Sequence, residues 1–239
     1  MKKVFIDAGH GGSDPGANEN GLKEKDIVLK IALGVGKQLE RVYDGVSVTL
    51  SRDTDVALSL SDRTKQANKL GADALISIHC NAGGGAGGFE TFRYTTASKA
   101  SIALQNILHI EIMNRLKPFG VIDRGTKSKN LHMLRESKMP AVLTEDLFID
   151  VLSDASRLKR AEVINAIIDG HVSGVAKHLG LQLKADTKPA SKVSVVVRGK
   201  EVEGAKLIDN TTYVPLRAIT DALGLKLIWD ATTKTASIN

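Results

Sequence analysis

Five short apolar runs, KVFIDAG (3–9), VSVTLSR (46–52), ALISIHC (74–80), GFETFRY (88–94) and AVLTEDLF (141–148), are separated by stretches of helical periodicity. This alternation constrains the fold more than any other feature. Ile27, Ile31, Val35 and Leu39 recur every four residues, with Val28, Ala32 and Val42 on the same flank. Ser59 or Ser61 caps a second helix carrying Arg63, Ala67 and Leu70, closed by Gly71. Residues 97–117 read as a third helix and 154–180 as one long fourth, ending at Gly180. Strands alternating with helices predict an α/β fold, a twisted and largely parallel sheet flanked by helices on both faces. In such sheets functional groups gather beyond the carboxyl ends of the strands.

The chain then changes character. LKADTKPASK (183–192) is polar, contains Pro189 and has no apolar period, so it reads as a linker between a domain at 1–182 and a small α+β module at 193–239. That module reads as strand, turn, strand, a helix over about 215–223 and a hairpin around Thr232–Lys234. Trp229 reads as core; Tyr213 is either core or a sugar-stacking surface group. The glycine patch at 83–88 lacks the Gly-Lys-Ser/Thr ending of a phosphate loop and reads as a mobile loop beside the site.

Composition narrows the class. The 239 residues carry a net charge of +6, which favours an anionic partner, yet aromatics are only 4%. Base-stacking surfaces need aromatics, so a bacterial wall or plain solubility fits better than nucleic acid. No stretch approaches the roughly eighteen apolar residues that span a bilayer. The apolar run at the N-terminus ends at Asp7, too short for a secretory leader, so synthesis in the cytoplasm is expected, with release by holin-assisted passage or lysis. A single cysteine excludes internal disulfides. Cys80, next to His79 in one strand, is expected to face the opposite side, in the core.

Three residues stand where a shared site would form. His10 follows the first strand, His79 ends an almost wholly apolar one, and Glu24 opens the first amphipathic helix. Two imidazoles and a carboxylate, with a fourth position for water, make a catalytic zinc set. Glu145, amid Ala, Val and Leu at a strand end, is the candidate acid/base for the water's proton. Each residue also has an ordinary structural role open to it: a hydrogen-bonded strand-end histidine, a glutamate serving the helix dipole, a strand glutamate paired with arginine. Residue type and spacing leave both readings open.

The string FIDAGHGGSDPGA, then LKEKD, RTKQAN, SIHCNA and RGTKSKNLHMLRESKMPAVLTE, closely resembles the N-acetylmuramoyl-L-alanine amidase family of the third type, which includes bacterial autolysins and phage endolysins. The resemblance runs over about residues 3–180 in the expected order. It implies one zinc ion on His10, Glu24 and His79, Glu145 as catalytic glutamate, and bacterial peptidoglycan as partner, cut between the muramic lactyl group and L-alanine. The rivals are a zinc peptidase cutting within the stem peptide and an inactive wall-binding protein. The family usually has a small residue, then glycine, after its catalytic glutamate, where this chain has Asp146 and Leu147, so a departure of the local backbone and an Asp146 effect on the Glu145 pKa are expected. Asn81, Arg124 and His132 are candidate substrate contacts, with a structural role open to each; Arg63 and Asn68 are candidates to orient the site. His109, His171 and His178 read as helix surface or core. The segment 193–239 resembles the module named after the N-terminal domain of copper amine oxidases, on TYVPLRAITDALG and WDATTKTASI. It contains no His, Cys or Met, so copper is not expected there. A wall-targeting role, toward anionic wall polymers, or an oligomerisation role is expected instead.

Overall fold

The first apolar run folds as strand β1 (Lys2–Ala8), and the others follow it into one six-stranded sheet: β2 (Val46–Leu50), β3 (Ala74–Asn81), β4 (Phe89–Arg93), β5 (Asp123–Ser128) and β6 (Ala141–Phe148), in the order β2-β1-β3-β6-β4-β5. The computed structural model describes residues 1–185, 194–208 and 211–239. All strand pairs are parallel except β6 with β4, which run antiparallel. Strand β5 has no counterpart among the sequence-read runs. Its segment DRGTKS is polar and lies at the sheet edge, where only one neighbour asks for an apolar face.

Alternation along β1 sends Val4, Ile6 and Ala8 to one face and Phe5 to the other. The first face packs under α1 (Glu24–Val42), α3 (Lys99–Leu116) and α6 (Ala161–Leu179); the second under α2 (Leu60–Leu70) and the short α4 (His132–Arg135). Ser59, rather than Ser61, caps α2 by accepting from the Asp62 amide, and Gly71 closes it in the left-handed conformation. The single helix expected over 154–180 is two, α5 (Leu152–Leu158) and α6, separated by an extended Arg160. Continued past Leu158, the stripe begun by Ala155 would fall on Glu162 and Asn165, both exposed, whereas the apolar residues are Val163, Ile164, Ile167 and Ile168. The break turns both stripes toward the core.

Contacts divide the chain into Met1–Lys184 and Ala185–Asn239. Leu183 and Lys184, read as linker, instead join the first unit: Gln182–Leu183 pairs antiparallel with Tyr43–Asp44, and the Lys184 amide donates to the Val42 carbonyl. The rest of that linker, from residue 186 onward, lies outside the described residues. The second unit holds hairpins Val195–Val197 with Lys200–Val202 and Lys206–Ile208 with Thr211–Tyr213. After them come α7 (Leu216–Leu223) and a hairpin of Leu227–Asp230 with Thr235–Ile238. Trp229 is not core: it is 57% exposed, as is Tyr213 at 56%. Trp229 sits on a two-stranded hairpin whose second strand is exposed throughout, so nothing in it covers the ring. Among the described residues no helix is long and apolar enough to cross a membrane.

Candidate active site

Beyond β1 the backbone turns at once. His10 has a φ of 56°, in the left-handed region that non-glycine residues rarely occupy. Two buried arginines hold this turn by its carbonyls. Arg52 donates from Nε to Ala8 at 3.0 Å and from Nη2 to Gly9 at 2.8 Å. Arg63 donates from Nη1 to Ala8 and from Nη2 to His10, both at 2.6 Å. Arg63 also pairs with Asp7 at 2.8 Å. Burial pushes the Asp7 carboxyl up, but the Arg63 guanidinium outweighs it and holds Asp7 below its usual range. Arg63 thus holds the backbone from which the His10 ring projects. Arg52 does the same and was not singled out in the sequence, although it ends the run VSVTLSR.

The turn aims the His10 ring. Its Nδ1 meets Asp14 Oδ2 at 2.8 Å, which leaves Nε2 facing Glu24 Oε1 at 3.0 Å. His79 presents Nδ1 to that same oxygen at 3.0 Å. Glu24, 3% exposed at the start of α1, is fixed by the Ala17 amide on Oε2 at 2.9 Å and the Cys80 amide on Oε1 at 3.0 Å. The two imidazoles stand nearly perpendicular, centroids 5.0 Å apart. One donor atom from each of His10, Glu24 and His79 lies within 4.8 Å of the others. Cys80 itself is buried on the opposite face, as expected.

Two glycines leave the room this set needs. A Cβ at Gly16 (φ +64°) would stand 2.5 Å from Glu24 Oε2 and 2.7 Å from the His10 ring; one at Gly9 would lie 2.3 Å from the His79 ring. Two borderline-soft nitrogen donors with one carboxylate, packed this tightly and with the His10 ring held through Nδ1 by Asp14, suit a zinc ion. Electrostatics agrees. Burial opposes the charged form of His10, but Glu24 and Asp14 outweigh it and raise its pKa to about 9; His79 is likewise raised, against its burial, by Glu24 and Glu145. Glu24 is lowered, despite burial, by its hydrogen bonds to both histidines. A cation bound here must displace the protons these groups hold.

Glu145 lies on the neighbouring strand. It pairs in register with His79 on one side and Glu90 on the other. Its Oε2 is buried with no hydrogen-bond partner. Burial, with the negative fields of Glu24 and Glu90 against that of His79, raises its pKa to about 7. The like charge expected between Glu145 and Asp146 acts, but it is Asp146 that it raises. Asp146 is turned to the α6 side, where Thr144 Oγ1 lies 3.2 Å from its Oδ2 and 3.0 Å from His171 Nε2. Desolvation there raises the Asp146 pKa well above its ordinary value.

The departure at Leu147 is real. Leu147 takes a φ of 70°, the conformation a glycine would supply, while remaining fully buried. The register shifts at this point: His79 faces Glu145, but Asn81 faces Phe148, so β6 carries one extra residue. Glu145 and Asp146 precede this shift and remain in register with β4, so ordinary alternation puts Glu145 in the cleft and Asp146 on the opposite face.

A cleft of about 430 Å³ joins His10, His79 and Glu145 to Asn81, Glu90 and Arg124. Asn81 donates to Glu90 Oε1 at 2.8 Å, and Arg124 donates from Nε to Glu90 Oε2 at 2.7 Å. Glu90 was not singled out in the sequence; its signal was a carboxylate between two phenylalanines of one strand. The other two candidates go elsewhere. His132 meets Thr64 Oγ1 at 3.3 Å between α2 and α4, and Asn68 clamps the Glu136 carbonyl and the Lys138 amide. The glycine patch is tied at both ends: Gly83 and Gly84 amides donate to Asp150, and the Gly88 amide to Asp154.

Comparison with known proteins places this geometry. A family profile described as N-acetylmuramoyl-L-alanine amidase matches residues 4–177, and one described as copper amine oxidase N-terminal domain matches residues 196–239. An endolysin of Bacillus phage SPP1 is 46% identical over 83% of this chain and 74% of its own length. A sporulation-specific N-acetylmuramoyl-L-alanine amidase of Bacillus subtilis is 45% identical over 82% and 74%. The solved catalytic domain of CwlV, an N-acetylmuramoyl-L-alanine amidase from Bacillus (Paenibacillus) polymyxa var. colistinus, superposes with a TM-score of 0.71 at 33% identity, covering 76% of this chain and all of that one. From the match over most of its length and this agreement of fold, the chain belongs to the N-acetylmuramoyl-L-alanine amidase family.

Proposed function

We propose that this chain hydrolyses the amide bond between the muramic lactyl group and the first L-alanine of peptidoglycan, with one zinc ion on His10, Glu24 and His79 and with Glu145 as general acid and base. The observation that carries the reading is the pairing of an orphaned carboxyl oxygen on Glu145 with the convergent donor set in one cleft. When bound, zinc supplies a Lewis acid for the scissile carbonyl and lowers the pKa of a water to about 7. Glu145 takes the proton of the attacking water on Oε2 and returns it to the departing alanine nitrogen. A carboxyl with a pKa near 7 is suited to both directions of that transfer. Asp14, bonded to His10 Nδ1, keeps Nε2 free to ligate. Arg52 and Arg63 fix the backbone from which His10 projects.

The module at 193–239 acts, in this reading, in wall targeting, its exposed Trp229 and Tyr213 offering flat faces for sugar rings. Digestion of purified peptidoglycan with and without a chelator, followed by mass spectrometry, tests the proposal. Free lactyl groups and new L-alanine amino termini, lost on chelation and restored by zinc, are the expected products. A cut within the stem peptide, or none, overturns it.

A further inference from the structure

The in-register row that begins at His79 does not stop at Glu145. It crosses to Glu90 on β4 and ends at β5, where Phe89 faces Asp123 but Thr91 faces Thr126. The bulge sets Arg124 and Gly125 together opposite Glu90. A metal ligand, an acid/base, a buried carboxylate and an arginine therefore succeed one another on four adjacent strands.

Arg124 is held on three sides. Its Nε donates to Glu90 Oε2 at 2.7 Å, its Nη1 reaches the Gly87 carbonyl at 3.3 Å, and its guanidinium lies 4.7 Å from the centroid of the Phe148 ring. Its stem occupies the space that a Cβ on Gly88 (φ +116°) would take, 3.0 Å from Arg124 Cγ. Yet the side chain keeps 30% exposure and lines the cleft, and among the described residues Nη2 has no protein partner. Glu90 does not cancel the local charge. Its one carboxylate also takes Lys127, and Lys129, lining the same cleft, has no carboxylate partner among the described residues. One negative charge against three positive ones leaves this wall cationic. A guanidinium fixed in advance loses little freedom when it binds, and its fork geometry matches a carboxylate.

Spacing names the ligand. Strands lie about 4.8 Å apart, so the Glu90 row position, onto which Arg124 folds, is roughly 10 Å from that of His79. Two residues of extended peptide span about 7 Å, and a charged hydrogen bond adds about 3 Å. We propose that Arg124, backed by Glu90 and Phe148 and joined by Lys129, forms a subsite that binds the free α-carboxylate of the second stem-peptide residue. This inference rests on the amidase reading above, with the scissile bond at His79 and Glu145.

Two muropeptides that differ only in an α-carboxylate or α-carboxamide on that second residue test it, using the full zinc-loaded chain. The carboxylate substrate should show a kcat/KM roughly tenfold to a hundredfold higher, as for a charge-assisted pair against a neutral one. Arg124→Gln should bring the two substrates close to equality by lowering the carboxylate value alone. Arg124→Lys should restore part of the preference. Lys129→Gln, an exposed change that leaves the Glu90 cluster intact, should shrink it severalfold. Equal or reversed values in the unaltered chain overturn the subsite while leaving the amidase reading standing, as does a preference unchanged in both glutamine variants. Failure to cut either muropeptide at the lactyl–alanine bond overturns the amidase reading and the subsite together.

Discussion

Glu145 lies directly across from His79 in the parallel pairing of β3 and β6, so an imidazole of the convergent set and a carboxyl with an unpartnered oxygen share one edge of the cleft. If Glu145 moves the proton, Glu145→Gln should leave zinc binding nearly normal and lower turnover by roughly a hundredfold to ten-thousandfold. Glu24→Gln should instead weaken zinc binding, since an amide is a poorer ligand. Asp146→Asn should be almost silent in turnover, because Asp146 faces Thr144 and His171 and not the cleft. Metal content by atomic absorption, alongside turnover, separates the three; an inactive Asp146→Asn beside an active Glu145→Gln would reverse the assignment.

Gly16→Ala removes no ligand, yet its methyl would meet Glu24 and the His10 ring at under 3 Å from a left-handed backbone. Zinc affinity should fall at least tenfold in competition with a chromogenic chelator, while the far-ultraviolet circular dichroism stays that of the parent. Unchanged affinity would mean that the set has more slack than its packing implies.

His171 sets a pH dependence of stability. It is fully buried, and desolvation lowers its pKa to about 4 from an ordinary 6.5. Its Nδ1 meets the Ile167 carbonyl at 2.9 Å and so carries the proton, leaving Nε2 to accept from Thr144. A depressed histidine pKa means that the unfolded chain binds the proton first, so the His171 contribution to stability is whole above about 6.5 and is lost as pH falls toward 4. The loss should approach about 3 kcal/mol. Asp146, 3.8 Å away, is raised by desolvation, so the fold keeps a proton that the unfolded chain releases near 3.8, and above that pH its contribution runs against that of His171. Urea melts from pH 4 to 7 isolate the His171 contribution as a difference: stability should rise more with pH, or fall less, in the parent than in His171→Gln, and equal slopes would refute it.

Leu147 sets two magnitudes against each other. Relieving its φ of 70° with glycine gains about 1–2 kcal/mol. Losing a wholly buried leucine costs about 2–5 kcal/mol, and glycine adds backbone entropy to the unfolded state. Burial wins, so Leu147→Gly should lower stability by about 1 kcal/mol or more while keeping activity, because Glu145 lies in the regular part of the strand before the shift. A stabilised variant would show that strain outweighs packing here.

A chain ending at Lys184 keeps the strand pair of Gln182–Leu183 with Tyr43–Asp44. It should fold, hydrolyse soluble muropeptides at the parental rate, and pellet far less with intact walls. Parental pelleting would remove the targeting role of the module.

The convergence of His10, Glu24 and His79 could be read from the sequence because these residues end strands or open a helix, and the edge of the sheet brings such ends together. What escaped was decided by packing across the chain. Glu90 and Arg52 look like ordinary strand residues until the sheet order brings them beside Glu145 and the His10 turn. Strand β5 has no apolar alternation to betray it, and the break before Arg160 shows only when the two stripes are phased against one core. At Leu147 the letters told that a glycine was missing but not which would yield, the backbone or the bulge; the buried side chain settled it by accepting a left-handed φ. Trp229 misled because a lone tryptophan in a small module suggests a core, and this one lies on an uncovered hairpin.

The two arginines behind the His10 turn carry a thermodynamic consequence. Ala8, Gly9 and His10 carbonyls are saturated by Arg52 and Arg63, the His10 ring by Asp14, and Glu24 by two amides, all through protein-to-protein bonds. Metal association therefore does not have to drive folding, unlike in domains that collapse only around their ion. Stripping the ion should shift the melting midpoint by no more than mass action, growing with the logarithm of free metal concentration, and leave a cooperative transition in place. A protein built this way is folded before it is loaded as well as after, and, if zinc is its ion, its occupancy reports the free zinc around it.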